Sequence, residues 1–307
     1  MKILSPIDSI KEIRPLIEAG ADGFYCSFRF NGSNLGTPRN KNILSYNLSD
    51  KNEFRSIVRI AKAEKKEVFF VLNYPLLSLD FISKIDNLIQ EIIDIKAAGI
   101  IISNLDLLNF LKKYHIHKVA SSLLEVKNEA AVNFLVKKFG INGIILDRQI
   151  EINDLRTITH KFPNTKFEAF IFAEGCRSLI SACNYRLVFK EHLCKFPYTV
   201  INNGTADMTD DALKTIAGRL AEPEIVCGAC AMFFFKKYGL HYLKIVGRGK
   251  PTELKISYVK FIRKAKTILD TSLTKNDFFI EMEKQFVQFF GKKCEKRYCY
   301  YPHFFDA

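Results

Sequence analysis

An amphipathic helix that ends at glycine and is followed at once by an apolar strand recurs along this chain. IRPLIEAG precedes ADGFYCS, IIDIKAAG precedes IIIS, VNFLVKKFG precedes INGIILD, and AMFFFKKYG precedes LHYLKIVG. Glycine suits the left-handed residue that closes a helix. The strands are apolar almost throughout and do not alternate, which is typical of a parallel sheet covered by helices. The repeat therefore predicts an α/β protein built on a parallel sheet.

Eight apolar segments of this kind occur within residues 1–270. They are Ile3–Ile7, Gly23–Ser27, Glu67–Leu72, Ile100–Ser103, Lys118–Ser122, Gly143–Asp147, Lys166–Phe172 and Tyr242–Val246. Eight β/α units over this length predict a (β/α)₈ TIM-like barrel. The alternative is a doubly wound open sheet, which would need a phosphate-binding glycine turn after its first strand. Neither G-x-G-x-x-G nor G-x-x-x-x-G-K-[ST] occurs, so we predict a single barrel domain over residues 1–270.

Two segments do not follow the repeat. Residues 176–223, between the seventh strand and the seventh helix, are polar and far longer than an ordinary βα loop. Residues 271–307 contain an amphipathic helix, NDFFIEMEKQFVQFF, and then a basic aromatic tail. The helix could cap the bottom of the barrel or meet a partner, and we expect capping. Because loops after strand carboxyl ends form the functional face of such barrels, the insertion is expected to carry the site.

The charge of the chain favours anionic partners. Lysine and arginine number 46 against 33 aspartates and glutamates, which gives a formal net charge of +13. Such a surplus attracts nucleic acid, RNA included. The alternative is a lysine-rich surface, since lysine alternates with Ile, Asn and Phe along the whole chain, as an AT-rich genome would encode it.

The sequence shows no sign of a membrane span or of secretion. No apolar run reaches the roughly 18 residues that suggest a spanning helix. The N-terminal stretch MKILSPIDSIKEI is charged too early for a signal peptide. We therefore expect a cytoplasmic protein without a membrane span.

Eight cysteines occur in the chain, and their placement predicts a metal centre rather than disulfides. Cys26 lies in the apolar stretch DGFYCSF and is expected to be a small core residue. Thiols grouped in the loops of a cytosolic protein are more often ligands than crosslinks. The grouped cysteines are Cys176, Cys183, Cys194 and Cys227, in the insertion or at its exit.

Four thiolates from one loop can hold either zinc or an iron–sulfur cluster. Structural zinc usually uses tight C-x₂₋₄-C pairs. Within the insertion and at its exit, only Cys227 and Cys230 form such a pair. The wide spacing of the other cysteines therefore favours an iron–sulfur cluster, with scattered buried thiols as the alternative.

Several motifs resemble a known family. Glu168 lies eight residues before Cys176, and Cys183 lies seven residues after it. CKFP follows at Cys194, and Cys227 lies twelve residues before the glycine of GLHYLKIVGR. EAGADGFYCS and LDRQIEINDL match two further patterns. Over residues 1 to about 270, the chain resembles the collagenase-like peptidase family of unassigned mechanism, a U-type peptidase family.

The resemblance implies a cofactor and a class of reaction. Some members of that family were labelled proteases. Others are iron–sulfur proteins needed for oxygen-independent hydroxylation of RNA bases or of the ubiquinone ring, and a second family member can act as their partner. In those proteins, four cysteines bind a [4Fe–4S] cluster. By position, these correspond to Cys176, Cys183, Cys194 and Cys227 here.

The chain also departs from the family pattern. Phe172 stands where many members have histidine, Val246 replaces the glutamate of KIEGR, and Tyr198 replaces a cysteine that often follows the third motif. The cysteines outside the pattern could replace ligands or build a second metal site. They are Cys230, Cys294 and Cys299. For the last two, in the basic tail, we favour two exposed thiols.

Polar residues at strand carboxyl ends complete the candidate site. Asn73, Arg148, Lys244 and Arg248 are predicted to bind substrate, although the basic groups could equally be structural ion pairs. The catalytic candidates are Glu174, Asp147 and His192. Neither the zinc-protease motif H-E-x-x-H nor the nucleophile-elbow motif G-x-S-x-G occurs in the sequence.

The sequence is compatible with three functions. The first is an iron–sulfur enzyme, or enzyme component, for oxygen-independent hydroxylation of an RNA base or a small aromatic ring. The second is a collagenase-like peptidase, and the third is a non-catalytic RNA-binding protein.

Overall fold

A closed barrel of eight parallel strands forms the centre of the structure, as the sequence predicts. The barrel strands are β1 (Lys2–Pro6), β2 (Gly23–Cys26), β5 (Glu67–Leu72), β6 (Gly99–Ile102), β7 (Lys118–Ala120), β8 (Gly143–Ile145), β9 (Lys166–Ala173) and β11 (Tyr242–Ile245). Neighbours pair in the order β9-β11-β1-β2-β5-β6-β7-β8, and the pairing of β8 with β9 closes the ring. The fold is therefore a (β/α)₈ barrel, and the prediction of its class is confirmed.

The structure is a computed structural model, and it describes most of the chain. The described residues are 1–30, 33–34, 47–73, 85–173, 209, 225–272, 274–295 and 299–305. Several predicted site residues lie outside this range. They are Glu174, Cys176, Cys183, His192 and Cys194. All of the predicted insertion except Thr209 also lies outside it.

Three short strands supplement the barrel. β3 (Arg29–Phe30) and β4 (Ser33–Asn34) form an antiparallel pair after β2. β10 (Val226–Cys227) pairs antiparallel with the end of β9, and Cys227 lies opposite Phe172. The chain thus returns from the insertion to the carboxyl end of the strand at which the insertion began.

Helices cover the outside of the barrel. They are α1 (Ile13–Ala19), α2 (Lys51–Ala63), α3 (Asp86–Asp94), α4 (Leu105–Phe110), α5 (Glu129–Phe139), α6 (Ile152–Lys161), α7 (Met232–Lys237), α8 (Thr252–Thr271) and α9 (Lys275–Phe290). Side-chain caps begin several of them: the Asp50 carboxylate accepts two backbone N–H bonds at the start of α2, and Thr274 forms a capping box with Asp277 at α9. Gly20 (φ 106°) ends α1 in the left-handed conformation that the sequence repeat predicts.

The core is apolar on both faces of the barrel strands. Every residue of β2 and β6 is buried, because side chains on one face fill the barrel and those on the other pack under helices. Phe172 shows the second kind of packing: its ring lies 5.0 Å from that of Phe261 on α8 and 5.1 Å from that of Phe290 on α9. Aromatic contacts of this kind add about 0.5–1.5 kcal/mol each beyond area burial.

The C-terminal helix packs on the side of the barrel, so the expectation that it caps the bottom is wrong. α9 contacts α8 and the turn Ala229–Ala231, close to the carboxyl end of β9. Beyond it, Tyr301 is fully buried and donates a hydrogen bond of 2.8 Å to the carbonyl of Phe170. The aromatic rings of the amphipathic helix pair with Phe172 and Phe261, and those partners lie at the side of β9 rather than under the barrel.

Candidate functional site

A cavity opens at the carboxyl ends of the barrel strands. Val71, Ile101 and Ile145 supply apolar lining, while Tyr25 and Phe170 supply aromatic walls. All four residues predicted to bind substrate line this cavity. They are Asn73, Arg148, Lys244 and Arg248. The structure therefore brings side chains of the strands β8 and β11 together with side chains of the loops that follow β5, β8 and β11.

The Lys244 side chain, in the wall of the cavity, already has close partners. Its ammonium group forms a buried ion pair with Glu168 on β9 and lies 3.8 Å from the centre of the Tyr25 ring. The Tyr25 hydroxyl in turn donates a hydrogen bond of 2.7 Å to the carbonyl of Ile245. Burial lowers the pKa of Lys244, and the neighbouring Glu168 carboxylate opposes that shift. Lys244 is thus a paired charge, which favours the structural interpretation for this residue.

The guanidinium of Arg148 lies close to two aromatic rings. The Cζ atom lies 3.8 Å from the centre of the Phe170 ring and 5.7 Å from that of Tyr300 in the C-terminal tail. Its Nε is buried and has no hydrogen-bond partner among the described residues. Because buried polar atoms are nearly always hydrogen-bonded, this donor is available to a ligand or to water.

Asn73 leaves an acceptor open in the same cavity. Its Nδ2 donates a hydrogen bond of 3.0 Å to the Ser121 hydroxyl, which fixes the orientation of the amide. The amide oxygen is buried without a partner among the described residues. The cavity thus offers an unmatched donor on Arg148 and an unmatched acceptor on Asn73, next to aromatic surface.

Asp147, a catalytic candidate, does not line the cavity. Its carboxylate accepts a hydrogen bond of 2.8 Å from the backbone N–H of Gln149 and lies 4.0 Å from the Lys127 ammonium. These contacts hold the turn after β8. They place Arg148, rather than Asp147, over Phe170.

A buried charge network near Arg248 was not predicted from the sequence. Lys255 on α8 has no exposed surface, and its ammonium lies 2.6 Å from Asp8 and 2.7 Å from Glu12. The Asp8 carboxylate also accepts the backbone N–H of Gly249, so the loop that contains Arg248 is tied to the loop after β1. Burial raises the pKa of Asp8, which the Lys255 charge opposes. No local motif predicts this network, because its members are far apart in sequence.

Five cysteines lie in the described part of the chain, and all are free thiols. Cys26 is fully buried in β2, as predicted. The other four lie together, and we refer to them as the thiol quartet. They are Cys227, Cys230, Cys294 and Cys299.

The thiol quartet lies where β10 and the turn after it meet the C-terminal tail. Burial raises the pKa of Cys227, and its three neighbours in the quartet raise it further. Cys299 forms a β-bridge with Cys227, and the N–H of Tyr300 donates a hydrogen bond of 2.9 Å to the Cys227 carbonyl. Cys294 and Cys299 are half-buried, so the interpretation of two exposed thiols is wrong. This burial depends on a contact between residues far apart in sequence, Cys227 and Cys299, which no local pattern indicates.

As they stand, the side chains of the quartet do not enclose an ion. In the described ranges, no group of three or more His, Cys, Asp or Glu side chains is positioned to hold a metal. None of the helices in these ranges combines the length and the hydropathy that a membrane-spanning segment requires.

Comparisons with known proteins agree on family and fold. The model of Peptidase family U32 matches residues 8–304. The solved structure of the U32 peptidase Mk0906 is similar with a TM-score of 0.54 and 12% identity, over 82% of this chain and 94% of that one. N-acetylneuraminate lyase from Fusobacterium nucleatum gives a TM-score of 0.49 and 10% identity over 94% of this chain and 81% of its own. No curated protein matches the chain. At 12% identity, the similarity to the U32 peptidase structure bears on the fold alone.

Proposed function

Since this chain belongs to peptidase family U32, we propose that it is an iron–sulfur protein acting in oxygen-independent hydroxylation of an RNA base or a small aromatic ring. The observation that carries the proposal is the position of Cys227. This thiol is buried on β10, beside the carboxyl end of β9, where the insertion with the other cysteines begins. Functional groups of such barrels gather at that end.

The donor set suits an iron–sulfur cluster. The family resemblance assigns Cys176, Cys183, Cys194 and Cys227 as ligands, and thiolates are the usual ligands of [4Fe–4S] clusters. The position of Cys227 supports this assignment, since the thiol is buried beside the carboxyl end of β9, where the insertion begins. When bound, the cluster would supply electron transfer that no side chain of the chain can provide.

The cavity itself would bind and orient the substrate. Tyr25 and Phe170 line the cavity and give a planar ring an apolar surface to contact. Arg148 and Arg248 supply positive charge for a phosphate or carboxylate group, and Asn73 offers its free amide oxygen to a ring N–H or hydroxyl. Partial burial of these groups excludes water from the bound ring and strengthens each polar contact.

Anaerobic metal analysis tests the proposal. Protein prepared without oxygen should be brown and contain about four irons and four sulfides per chain, as a [4Fe–4S] cluster requires. Cys183→Ala should lose most of the iron, whereas Cys26→Ala, which alters a buried thiol of the barrel core, should keep it. An iron-free wild-type protein from strictly anaerobic work would contradict the proposal.

The reaction is tested separately in cells. A strain that lacks the chain should lose one hydroxylated nucleoside or one ring-hydroxylated product under anaerobic growth, and Cys183→Ala should fail to restore it. The peptidase alternative predicts instead that peptide cleavage persists in that variant. The RNA-binding alternative, which rests on the net charge of +13, predicts salt-sensitive RNA affinity that the substitution does not change.

A further inference from the structure

We propose that the end of the C-terminal tail, residues 299–305, makes the cavity selective for an anionic ring, with Tyr300 as the positioning residue. Among the described residues, Tyr300 is not part of the cavity lining, whereas Arg148 is. Tyr300 acts by holding Arg148 in place. The inference rests on the proposed function in one respect, since it takes the cavity to be the substrate site.

The backbone of this segment is fixed against the strand that carries a proposed cluster ligand. The N–H of Tyr300 donates a hydrogen bond of 2.9 Å to the Cys227 carbonyl, and Cys299 forms a β-bridge with Cys227. Cys227 is paired in turn with Phe172 at the end of β9. These contacts join main-chain groups, so a change of the Tyr300 side chain leaves them in place.

Two tyrosine hydroxyls hold the same segment against β9. The Tyr300 hydroxyl donates a hydrogen bond of 3.3 Å to the carbonyl of Ala173, and the Tyr301 hydroxyl donates one of 2.8 Å to the carbonyl of Phe170. Tyr300 is 6% exposed, and Tyr301 has no exposed surface. Burial of the ring together with a bonded hydroxyl fixes the Tyr300 side chain beside the cavity wall.

The guanidinium of Arg148 is within reach of one ring from the barrel and one from the tail. Its Cζ atom lies 3.8 Å from the centre of the Phe170 ring and 5.7 Å from that of Tyr300. The two ring centres are 6.4 Å apart. A cation within about 6 Å of an aromatic centre is attracted to the ring, so both rings favour this position of the guanidinium.

The aromatic contacts hold Arg148 because no ion pair does so in the described ranges. Its Nε is buried there without a hydrogen-bond partner. The carboxylate of the preceding residue, Asp147, accepts the N–H of Gln149 instead. A half-buried cation without an opposite charge favours an anionic ligand, which would supply that charge.

An anionic ring fits this arrangement better than a neutral ring of the same shape. Its carboxylate or phosphate would accept hydrogen bonds from Arg148, while the ring contacts the apolar lining at Val71 and Ile101. A neutral ring makes the same apolar contacts but leaves the guanidinium without an anion. Holding Arg148 in place before binding reduces the ordering cost of binding, and this gain applies to the anionic ring alone.

Nuclear magnetic resonance titration with benzoate and benzamide tests the inference, since the two probes share a ring and differ in charge. Tyr300→Leu should weaken benzoate binding about fivefold, as expected for one lost cation–π contact, and should leave benzamide binding unchanged. Tyr300→Phe keeps the ring and should match the wild type for both probes. The matched control is Tyr238→Leu, which removes a ring 5.7 Å from the Lys237 ammonium, outside the cavity lining, and should change neither affinity.

A double-mutant cycle decides whether Tyr300 acts through Arg148. In the Arg148→Leu background, Tyr300→Leu should cause no further loss of benzoate affinity, because residues that act through one contact are not additive. Equal losses in the two backgrounds would overturn the inference. So would equal losses for benzoate and benzamide, or an unchanged benzoate affinity in Tyr300→Leu.

A measurement on near-native protein guards against a Tyr300→Leu variant that does not fold. In protein labelled with 3-fluorotyrosine, the fluorine signal of Tyr300 is assigned by its absence from Tyr300→Phe. Benzoate should shift this signal, because its carboxylate engages the neighbouring guanidinium, and Arg148→Leu should abolish the shift. A signal that benzoate does not move, or moves as far in Arg148→Leu, would contradict the positioning role.

Iron analysis of the same anaerobically prepared samples separates this inference from the proposed function. Protein that shows the predicted benzoate selectivity but holds no iron would refute the proposed function alone. Protein that holds the cluster but shows additive losses in the cycle would refute this inference alone.

Discussion

Buried polar and charged groups at the mouth of this barrel occur in two different arrangements. In one region, Lys255 lies between Asp8 and Glu12, and every charge there has an opposite charge within 2.7 Å. In the other, Arg148 and Asn73 face a cavity with polar atoms that lack partners in the described part of the chain. The first arrangement stabilises the loops around the mouth. The second leaves hydrogen-bonding capacity in the lining of a cavity, where a ligand can reach it.

The largest expected effect comes from breaking the paired region. Lys255→Met removes the central cation and leaves two carboxylates without their partner, one of them buried. We expect the free energy of unfolding to fall by about 3–5 kcal/mol, the usual cost of removing one partner from a buried ion pair. Urea denaturation would measure it. Lys260→Met on the exposed face of the same helix is the matched control and should change stability by no more than about 0.5 kcal/mol. A loss below about 1 kcal/mol for Lys255→Met would mean that the network contributes little.

A third kind of buried titratable group, a histidine without an ion pair in the described part of the chain, lies beside the barrel strand β7. His117 is mostly buried, and burial lowers its pKa to about 4. Because the unfolded chain then binds a proton that the folded chain does not, stability should fall as pH drops from about 6.5 toward 4. Allowing for its partial exposure, we expect about 1–3 kcal/mol.

His117→Gln should remove that part of the pH dependence, as measured by denaturation at pH 4.5 and 7. The control is His115→Gln, since His115 is an exposed imidazole two residues away. An unchanged slope in the His117 variant would show that this histidine is not kept neutral by the fold.

A substitution in the cavity should change stability least. It should change the affinity for a ligand instead. Arg148→Leu removes a cation that lies over the Phe170 ring and should alter the free energy of unfolding by about 1 kcal/mol or less. Affinity for an anionic aromatic probe such as benzoate, measured by nuclear magnetic resonance titration, should fall at least tenfold, because a charge-assisted contact of about 1.5–3 kcal/mol is lost. Arg156→Leu, on the exposed face of α6 and outside the cavity lining, is the matched control and should leave benzoate affinity unchanged. The reverse pattern would place Arg148 with the structural ion pairs.

The barrel could be predicted from the sequence because its signal is local. The strand Glu67–Leu72 was predicted with the bounds that the structure has. Lys118–Ser122 was predicted two residues too long, since the Ser121 hydroxyl accepts the N–H of Leu123 and starts a 3-10 turn there. The strand-end rule also placed Asn73, Arg148, Lys244 and Arg248 at one mouth. Each of these predictions used only residues close together in the chain.

The parts that the sequence did not predict depend on contacts between distant residues. Lys255 and Asp8 are 247 positions apart, and nothing near either residue indicates that they meet. The docking of Tyr301 on Phe170 and the meeting of the two cysteine pairs are of the same kind. A spacing pattern identifies each C-x₂₋₄-C pair, but only the fold shows that the pairs are neighbours.

The central claim is that thiolates at the barrel mouth hold an iron–sulfur cluster. Mössbauer spectroscopy of anaerobically prepared, iron-57-enriched protein tests it most directly, because it identifies the cluster type and not only the iron content. We predict the spectrum of a [4Fe–4S] cluster in the wild type and its loss in Cys176→Ala. A wild-type spectrum that shows only nonspecifically bound iron would contradict the account.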